Sequence, residues 1–284
     1  MVKGQVVQSG STSSARSQQR ALVVALGASN LSRGLSRLVT ICRRCTSKPI
    51  DFFAGAGHGR SYGANSRIWN RRLPSILGSG LWRSLDRYSS SDALNSTTRS
   101  AVITDIGNDL LYGFSVEQIA AWIEEIVFRL QQRGFYVVIT QLPIQSIQSV
   151  GSLRFHILKS IFVPGCQQSL EAIKDQSLQI NNKIVSLSKS HHVTILRQTG
   201  SWYGIDAIHV KRSCLNKLWQ RVVDCWPEIS QEQHAMRGVH GFSGWQEWLR
   251  LGAASAEVRS LSGLMLFTPQ PVLQLADTTR IYLY

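Results

Sequence analysis

Residues 21–27 form an apolar run with adjacent valines that ends on a glycine. An amphipathic segment begins within four residues of that glycine. Leu31, Leu35, Leu38 and Cys42 recur there at near-helical spacing, so the stretch reads as a buried strand, a tight turn and a helix. The turn puts Ser29 at the C-terminal edge of a sheet, beside a helix N-terminus. Open α/β sheets collect their chemistry at that edge, and a helix start offers N–H groups to a developing negative charge.

The pattern continues along the chain. Residues 50–53, 101–105, 135–142 and 193–196 read as further buried strands. Between them, Ser115-x-x-Gln118 predicts a capped helix start, with Ile119, Trp122, Ile123, Ile126 and Leu130 on one face and Gly134 as the stop. Residues 167–189 and 212–225 read as two more helices, the last stopping before Pro227. Strands alternating with helices at these intervals predict a parallel sheet covered by helices on both faces. Residues 66–97 read as a surface loop with a short helix, and 144–165 as a long connection of the kind that covers an active site or simply joins two elements.

Residues 228–284 break the alternation. Trp245 and Trp248 sit in a short helix-like piece, and 264–267, 272–275 and 281–284 read as extended. A small β appendage is expected, packed on the core or mediating self-association. The chain of 284 residues thus divides into a disordered basic tail (1–20), one large domain (21–226) and a C-terminal extension (227–284).

The formal charge of +14 is uneven: the first fifty residues carry eight Lys or Arg and no acid. Such a balance suits an anionic substrate or surface, nucleic acid or lipid; it is more commonly that of a solvated basic face. No contiguous basic helix, zinc-finger spacing or aromatic RNA-binding signature accompanies it. No run of eighteen apolar residues exists, so no transmembrane helix is expected, and the first twenty residues lack the apolar core of a secretory signal. Five cysteines, an odd number, suit a reducing compartment and predict a cytoplasmic protein. Cys42-x-x-Cys45 has no second pair and no nearby His, so it predicts two half-buried helix cysteines; no metal and no cofactor are expected.

Three strand ends offer a coherent set of groups. Ser29 follows the first strand. Asp206 and His209 lie three residues apart, close enough for the carboxylate to hold one imidazole nitrogen while the other takes a serine proton. Asn108 offers an N–H₂, and the glycines at 57 and 59 offer backbone N–H groups. With the Ser29 amide these make a three-donor oxyanion hole, each donor contributing about 3 kcal/mol to a transition state. Singly, each has a plain structural role: Ser29 as a helix cap, Asn108-Asp109 as a turn, Asp206 as an Asx-type loop residue, His209 as a surface side chain. Their joint occurrence, in this order and at strand ends, favours chemistry.

The set resembles the SGNH/GDSL hydrolases. Gly27-Ala28-Ser29-Asn30-Leu31 is similar to that family's first block, Gly107-Asn108-Asp109 to its third, and Asp206-Ala207-Ile208-His209 to the Asp-x-x-His of its fifth. The second block's glycine best matches Gly59, with Gly57 as the fallback. The likeness covers about residues 21–226. It implies a three-layer α/β/α, flavodoxin-like sandwich with a five-stranded parallel sheet. It also implies metal-free hydrolysis of an ester-type acyl bond, in a small-molecule substrate, through an acyl-enzyme. Ser29 attacks, His209 is the base, Asp206 orients it, and Ser29 N–H, Gly59 N–H and Asn108 hold the oxyanion. Ala28 departs from the family, which carries Asp there.

Other residues admit two roles. His58 and Arg60 read as contacts to an anionic substrate group or as loop structure; Tyr203 and Trp202 as pocket lining or as core. Asp109 and Asp105 read as carboxylates for catalysis, Asp105 more naturally bonding backbone or a neighbouring loop. The alternative function is a catalytically inactive protein of the same fold that binds an anionic partner through its basic face. A nucleotide binder is disfavoured because Gly55-Ala56-Gly57-His58-Gly59 lacks the Gly-x-Gly-x-x-Gly phosphate fingerprint.

Overall fold

The structure, a computed structural model, describes residues 19–68, 71–89, 98–162, 166–204, 206–230 and 241–284. The expected basic tail, apart from its last two residues, lies outside these, as does the Ser-rich run after residue 89.

The chain opens with β1 (Ala21–Leu26), α1 (Ser29–Cys45) and β2 (Ile50–Gly55). Every residue of β1 and β2 is buried, so successive side chains feed two different cores. Leu22, Val24 and Leu26 join one layer; Ala21, Val23 and Ala25 join the other. Each fully buried Leu, Ile or Val contributes about 1.5–3 kcal/mol, so these short strands anchor the domain. The described part of the stretch expected as a loop with a short helix holds that helix as α2 (Leu81–Ser89), but before it β3 (Ser66–Ile68) and β4 (Arg71–Leu73) pair antiparallel, which was not expected. Three-residue strands are too short for alternation to register in a sequence.

Next come β5 (Arg99–Ile103), α3 (Asn108–Leu111), α4 (Val116–Gln132) and β6 (Tyr136–Thr140). Ser115 caps α4 as its sequence predicts, its hydroxyl accepting the Gln118 N–H at 3.2 Å. The expected long connection contains two helices, α5 (Ile144–Gln148) and α6 (Ser152–Phe162). It leads to α7 (Leu170–His191), β7 (Thr194–Leu196) and α8 (Leu215–Asp224). Cys42 and Cys45 are buried rather than half-buried in α1, which packs on α8, and all five cysteines are free thiols.

The last stretch supplies α9 (Pro227–Ser230), α10 (Gly241–Ala253), β8 (Val258–Leu261), β9 (Leu264–Phe267), β10 (Leu273–Gln274) and β11 (Arg280–Leu283). The central sheet runs β10-β11-β2-β1-β5-β6-β7. Five strands, β2 to β7 in that order, form the expected parallel core; β11 extends it in parallel beside β2, and β10 closes the edge antiparallel. The C-terminal strands are therefore split between two sheets: β8 and β9 join β3 and β4 in a separate antiparallel sheet.

Charge holds β11 in place. Asp51 of β2 is fully buried and accepts from Arg280 Nε at 2.6 Å and from Arg20 Nε at 2.7 Å. Burial alone pushes this carboxyl up, but Arg280, Arg20 and the Tyr88 hydroxyl outweigh it and hold it below the usual carboxylate range. Arg43 of α1 ties down the same region, meeting Glu247 at 2.9 Å and Asp277 at 2.7 Å. Among the described residues, no helix is long and apolar enough to cross a membrane.

Candidate active site

The strand ends of β1 and β5 almost touch. A Cβ on Gly27 would lie 2.6 Å from Thr104 Cγ2, so only glycine fits that turn. Tyr62 is buried between the two ends: its hydroxyl donates toward the carbonyls of Leu26 and Thr104 and accepts the Thr104 N–H at 3.2 Å. Ser29 follows as the first residue of α1 and is 8% exposed, so it is reached only through a cavity.

Asp105, directly past β5, sits in the left-handed region at φ 60°. Its Oδ2 accepts the N–H groups of Ala28 at 2.9 Å, Asn30 at 3.0 Å and Leu31 at 3.1 Å. It thereby caps α1 from a distance, since the N-cap residue Ala28 has no side chain for the task. The Ser29 amide is not among those it takes.

Asn30 links this turn to a distant loop. Its Nδ2 donates to Asp105 Oδ1 at 2.8 Å and to the Ile208 carbonyl at 2.9 Å, and its Oδ1 accepts the Val210 N–H at 2.8 Å. The peptide groups on either side of His209 are thus held by the residue next to Ser29.

In that loop His209 Nδ1 lies 2.6 Å from Asp206 Oδ2. Asp206 Oδ1 also accepts the backbone N–H of His209 at 2.9 Å and of Ile208 at 3.3 Å, while Ala207 turns the chain at φ 61°. Asp206 is therefore both a loop-forming residue and the imidazole's partner. Burial pushes its carboxyl up, but the bonds from the His209 ring and amide prevail and hold it below the usual range. With Nδ1–H donated to the carboxylate, Nε2 is the accepting nitrogen of that tautomer.

A cavity of about 110 Å³ is lined by Ser29, Asn108 and Asp206. The rest of the lining is largely apolar, with Leu142, Ile147, Phe155, Leu170 and Ile173 contributed by the segment between β6 and the middle of α7. Asn181 fixes that wall, bonding both the N–H and the carbonyl of Leu142 at 2.9 and 3.1 Å. Asn108 Nδ2 is buried and has no hydrogen-bond partner among the described residues. Such orphans are rare because they cost about 1–3 kcal/mol, so a donor kept unpaired beside a cavity suits an incoming acceptor.

The structure joins Asp206 to His209 and brings Ser29, Asn108 and Asp206 to one cavity. It does not place Gly59 or His209 in that lining, and among the described residues no hydrogen bond joins Ser29 to His209. Nucleophile–base contacts are often loose without substrate and tighten on binding. Gly59 has φ 62° and its carbonyl accepts the Tyr112 hydroxyl at 2.5 Å. Gly57 is also outside that lining, and a Cβ added to it would lie 2.4 Å from Leu73 Cδ1.

The two-role residues divide cleanly. Arg60 is fully buried, its Nε and Nη1 donating to the carbonyls of Pro74 at 3.1 Å, Ala56 at 3.3 Å and Tyr284; burial pulls its guanidinium down to about 10. His58 is exposed and outside the cavity. Asp109 is buried, accepts the Tyr62 N–H at 3.0 Å, and is pushed up to about 6 by burial against the opposing pull of Ser61 and that amide. Tyr203 lines the cavity and bonds Gln198, whereas Trp202 faces a different groove, with Arg221 5.3 Å above its ring. Among the described residues no three His, Cys, Asp or Glu side chains gather as a metal site. No sequence pattern marks Asn30 beyond its place beside Ser29, because its partners lie 75 to 180 residues away.

No family model matches the chain, and no curated protein matches it. Solved structures of similar fold include a psychrotrophic esterase from Pseudoalteromonas sp., 13% identical over 80% of this chain and 98% of that one, with a TM-score of 0.40. A member of the lipolytic protein G-D-S-L family from Veillonella parvula DSM 2008 is 12% identical over 72% of this chain and 96% of its own, at 0.44. An extracellular lipase from Streptomyces rimosus is 16% identical over 72% of this chain and 99% of its own, also at 0.44. At such identities any chemistry must come from this chain's own residues.

Proposed function

We propose that this chain is a serine hydrolase of the SGNH type that cleaves an ester-type acyl bond through an acyl-enzyme. The observation that carries this reading is the Asp206–His209 pair at 2.6 Å, tied through Asn30 to the turn that holds Ser29. Ser29 Oγ attacks the acyl carbon as its proton passes to His209 Nε2; Asp206 keeps the opposite nitrogen protonated and stabilises the resulting imidazolium. The carbonyl oxygen, now negative, is met by the Ser29 N–H and Asn108 Nδ2, with the Gly59 N–H as the third donor. Collapse expels the alcohol, which leaves with the proton from His209. Water, deprotonated by the same imidazole, then attacks the acyl-enzyme and releases acid and Ser29.

The apolar side chains along the cavity favour an aliphatic acyl group over a charged or sugar-like one. The test is hydrolysis of a p-nitrophenyl ester series. Turnover by the native protein that is lost in Ser29→Ala, with folding intact, supports the reading. A native protein that cleaves no ester of any chain length contradicts it.

A further inference from the structure

We infer that Asn30, with Asp105 behind it, is a positioning residue that sets the imidazole of His209 against Ser29; this rests on the hydrolase reading above. Asn30 makes three bonds of 2.8–2.9 Å, to Asp105 Oδ1, the Ile208 carbonyl and the Val210 N–H. The last two belong to the residues on either side of His209, so they fix where that side chain starts and which way it leaves the loop. Asp206 fixes the ring's rotation from the other direction, through Nδ1 at 2.6 Å. The ring is thus set by two independent anchors, one on its own loop and one on the nucleophile turn. Asp105 completes the arrangement: the carboxylate that orients the Asn30 amide also takes the Ala28, Asn30 and Leu31 N–H groups. A misplacement of about 1 Å at a reacting group costs about 10²-fold in rate, which is the scale of effect such an anchor controls.

Asn30→Ala is expected to lower kcat for a short p-nitrophenyl ester by about 10- to 100-fold with KM little changed. In a His209→Ala background the same substitution should cost nothing further, because the residue acts through that imidazole. Equal fold-losses in both backgrounds, or no loss in either, overturn the inference. Asn30→Asp provides a second variant: it keeps an acceptor for the Val210 N–H but sets a carboxylate against Asp105 and the Ile208 carbonyl. It should lose activity with the same dependence on His209. A proton NMR resonance for His209 Nδ1–H serves as a readout separate from turnover. It should be sharp and downfield in the native protein and broadened in Asn30→Ala. If the native protein has no esterase activity but this resonance responds, the hydrolase reading fails and the positioning stands; if it does not respond, the positioning fails.

A second inference rests on a different part of the molecule. An open groove of about 720 Å³ runs between α1 and α8 and is lined by Arg37, Arg44, Lys217 and Arg221, with Trp202 beside them. None of these four cations has an ion pair among the described residues; Arg221 lies over the Trp202 ring, and Asp224, further along α8, is engaged by Gln220. Four like charges on two packed helices repel one another, and a multivalent anion removes that repulsion. We propose that the groove binds a ligand carrying two or more phosphate groups, free in solution or displayed on a lipid surface.

Calorimetric titration with inorganic tripolyphosphate, and co-sedimentation with phosphatidylglycerol or phosphatidylcholine vesicles, separate the two sources. The double variant Arg37→Glu/Lys217→Glu should weaken binding at least 10-fold. Arg83→Glu/Lys174→Glu, with the same change of charge outside the groove, should not. Tripolyphosphate binding assigns a soluble polyanion; binding to phosphatidylglycerol vesicles alone assigns the phosphates of several neighbouring headgroups on a lipid surface. No binding in either arm, or equal weakening by the two double variants, overturns the proposal.

Discussion

Asp105 reaches from the end of β5 to accept the Ala28 N–H at 2.9 Å, so a carboxylate meets the serine-bearing turn although residue 28 itself has none. The same oxygen takes the Asn30 and Leu31 amides. Asp105→Ala strands three donors at a buried helix start and puts a less tolerant residue at φ 60°. It should cost about 2–4 kcal/mol, read as a lower urea midpoint. Asp105→Asn keeps one acceptor and tolerates the left-handed backbone, so its loss should be clearly smaller.

Asp109 gives a pH signature. Its folded carboxyl is pushed up to about 6, above its ordinary value, so the protonated form favours folding. The stability this contributes is present at low pH and disappears as pH rises through about 6. Asp109→Asn removes the titration. The variant should therefore gain on the native protein as pH rises from 4 to 7.5, by on the order of 2–3 kcal/mol. Urea unfolding at both pH values checks it; a gap that stays constant with pH contradicts it.

Asp206 titrates in the opposite sense. Its carboxyl is held below the usual range, so its contribution to stability is present above the ordinary carboxylate value and is lost as pH falls through the lowered one. Asp206→Asn should leave the fold largely intact near neutral pH while lowering kcat by about 10³- to 10⁴-fold, because the imidazole loses its orienting partner. Stopped-assay kinetics beside a thermal melt separate the two effects.

The cavity wall predicts a chain-length preference. Ile173→Trp fills space among Phe155, Leu170 and Leu142, so the optimum should move to shorter acyl esters. Phe155→Ala opens the same space and should shift it to longer ones. A p-nitrophenyl series from two to twelve carbons reads both; parallel losses at every length would mean that the acyl group lies elsewhere.

Strand and helix succession was readable because β1, β2, β5 and β6 are buried on both faces and so appear as short apolar runs. Ser29 and Asn108 were readable because each follows a buried strand within a few residues, and Asp206 with His209 because a carboxylate and an imidazole lie three residues apart. The pairing of β11 with β2 was not: Asp51 and Arg280 are 229 residues apart, and neither residue type alone announces a sheet neighbour. The helix α6 was hidden by its surroundings, since Leu153 and Ile157 are exposed while Phe155 faces the cavity, which blurs any apolar stripe. Arg60 illustrates the converse, a charge that suggests a ligand contact yet is buried with its Nε and Nη1 turned to backbone carbonyl oxygens. The Asn30 bridge depends on two loops meeting, which no local pattern encodes.

The central claim is a nucleophilic Ser29 activated by His209. Treating the folded protein with a fluorophosphonate and mapping the adduct by mass spectrometry tests it most directly. The account predicts one adduct, on the peptide containing Ser29, absent in Ser29→Ala and much slower in His209→Ala. Modification at another site, or a folded native protein that takes up no probe, would contradict it.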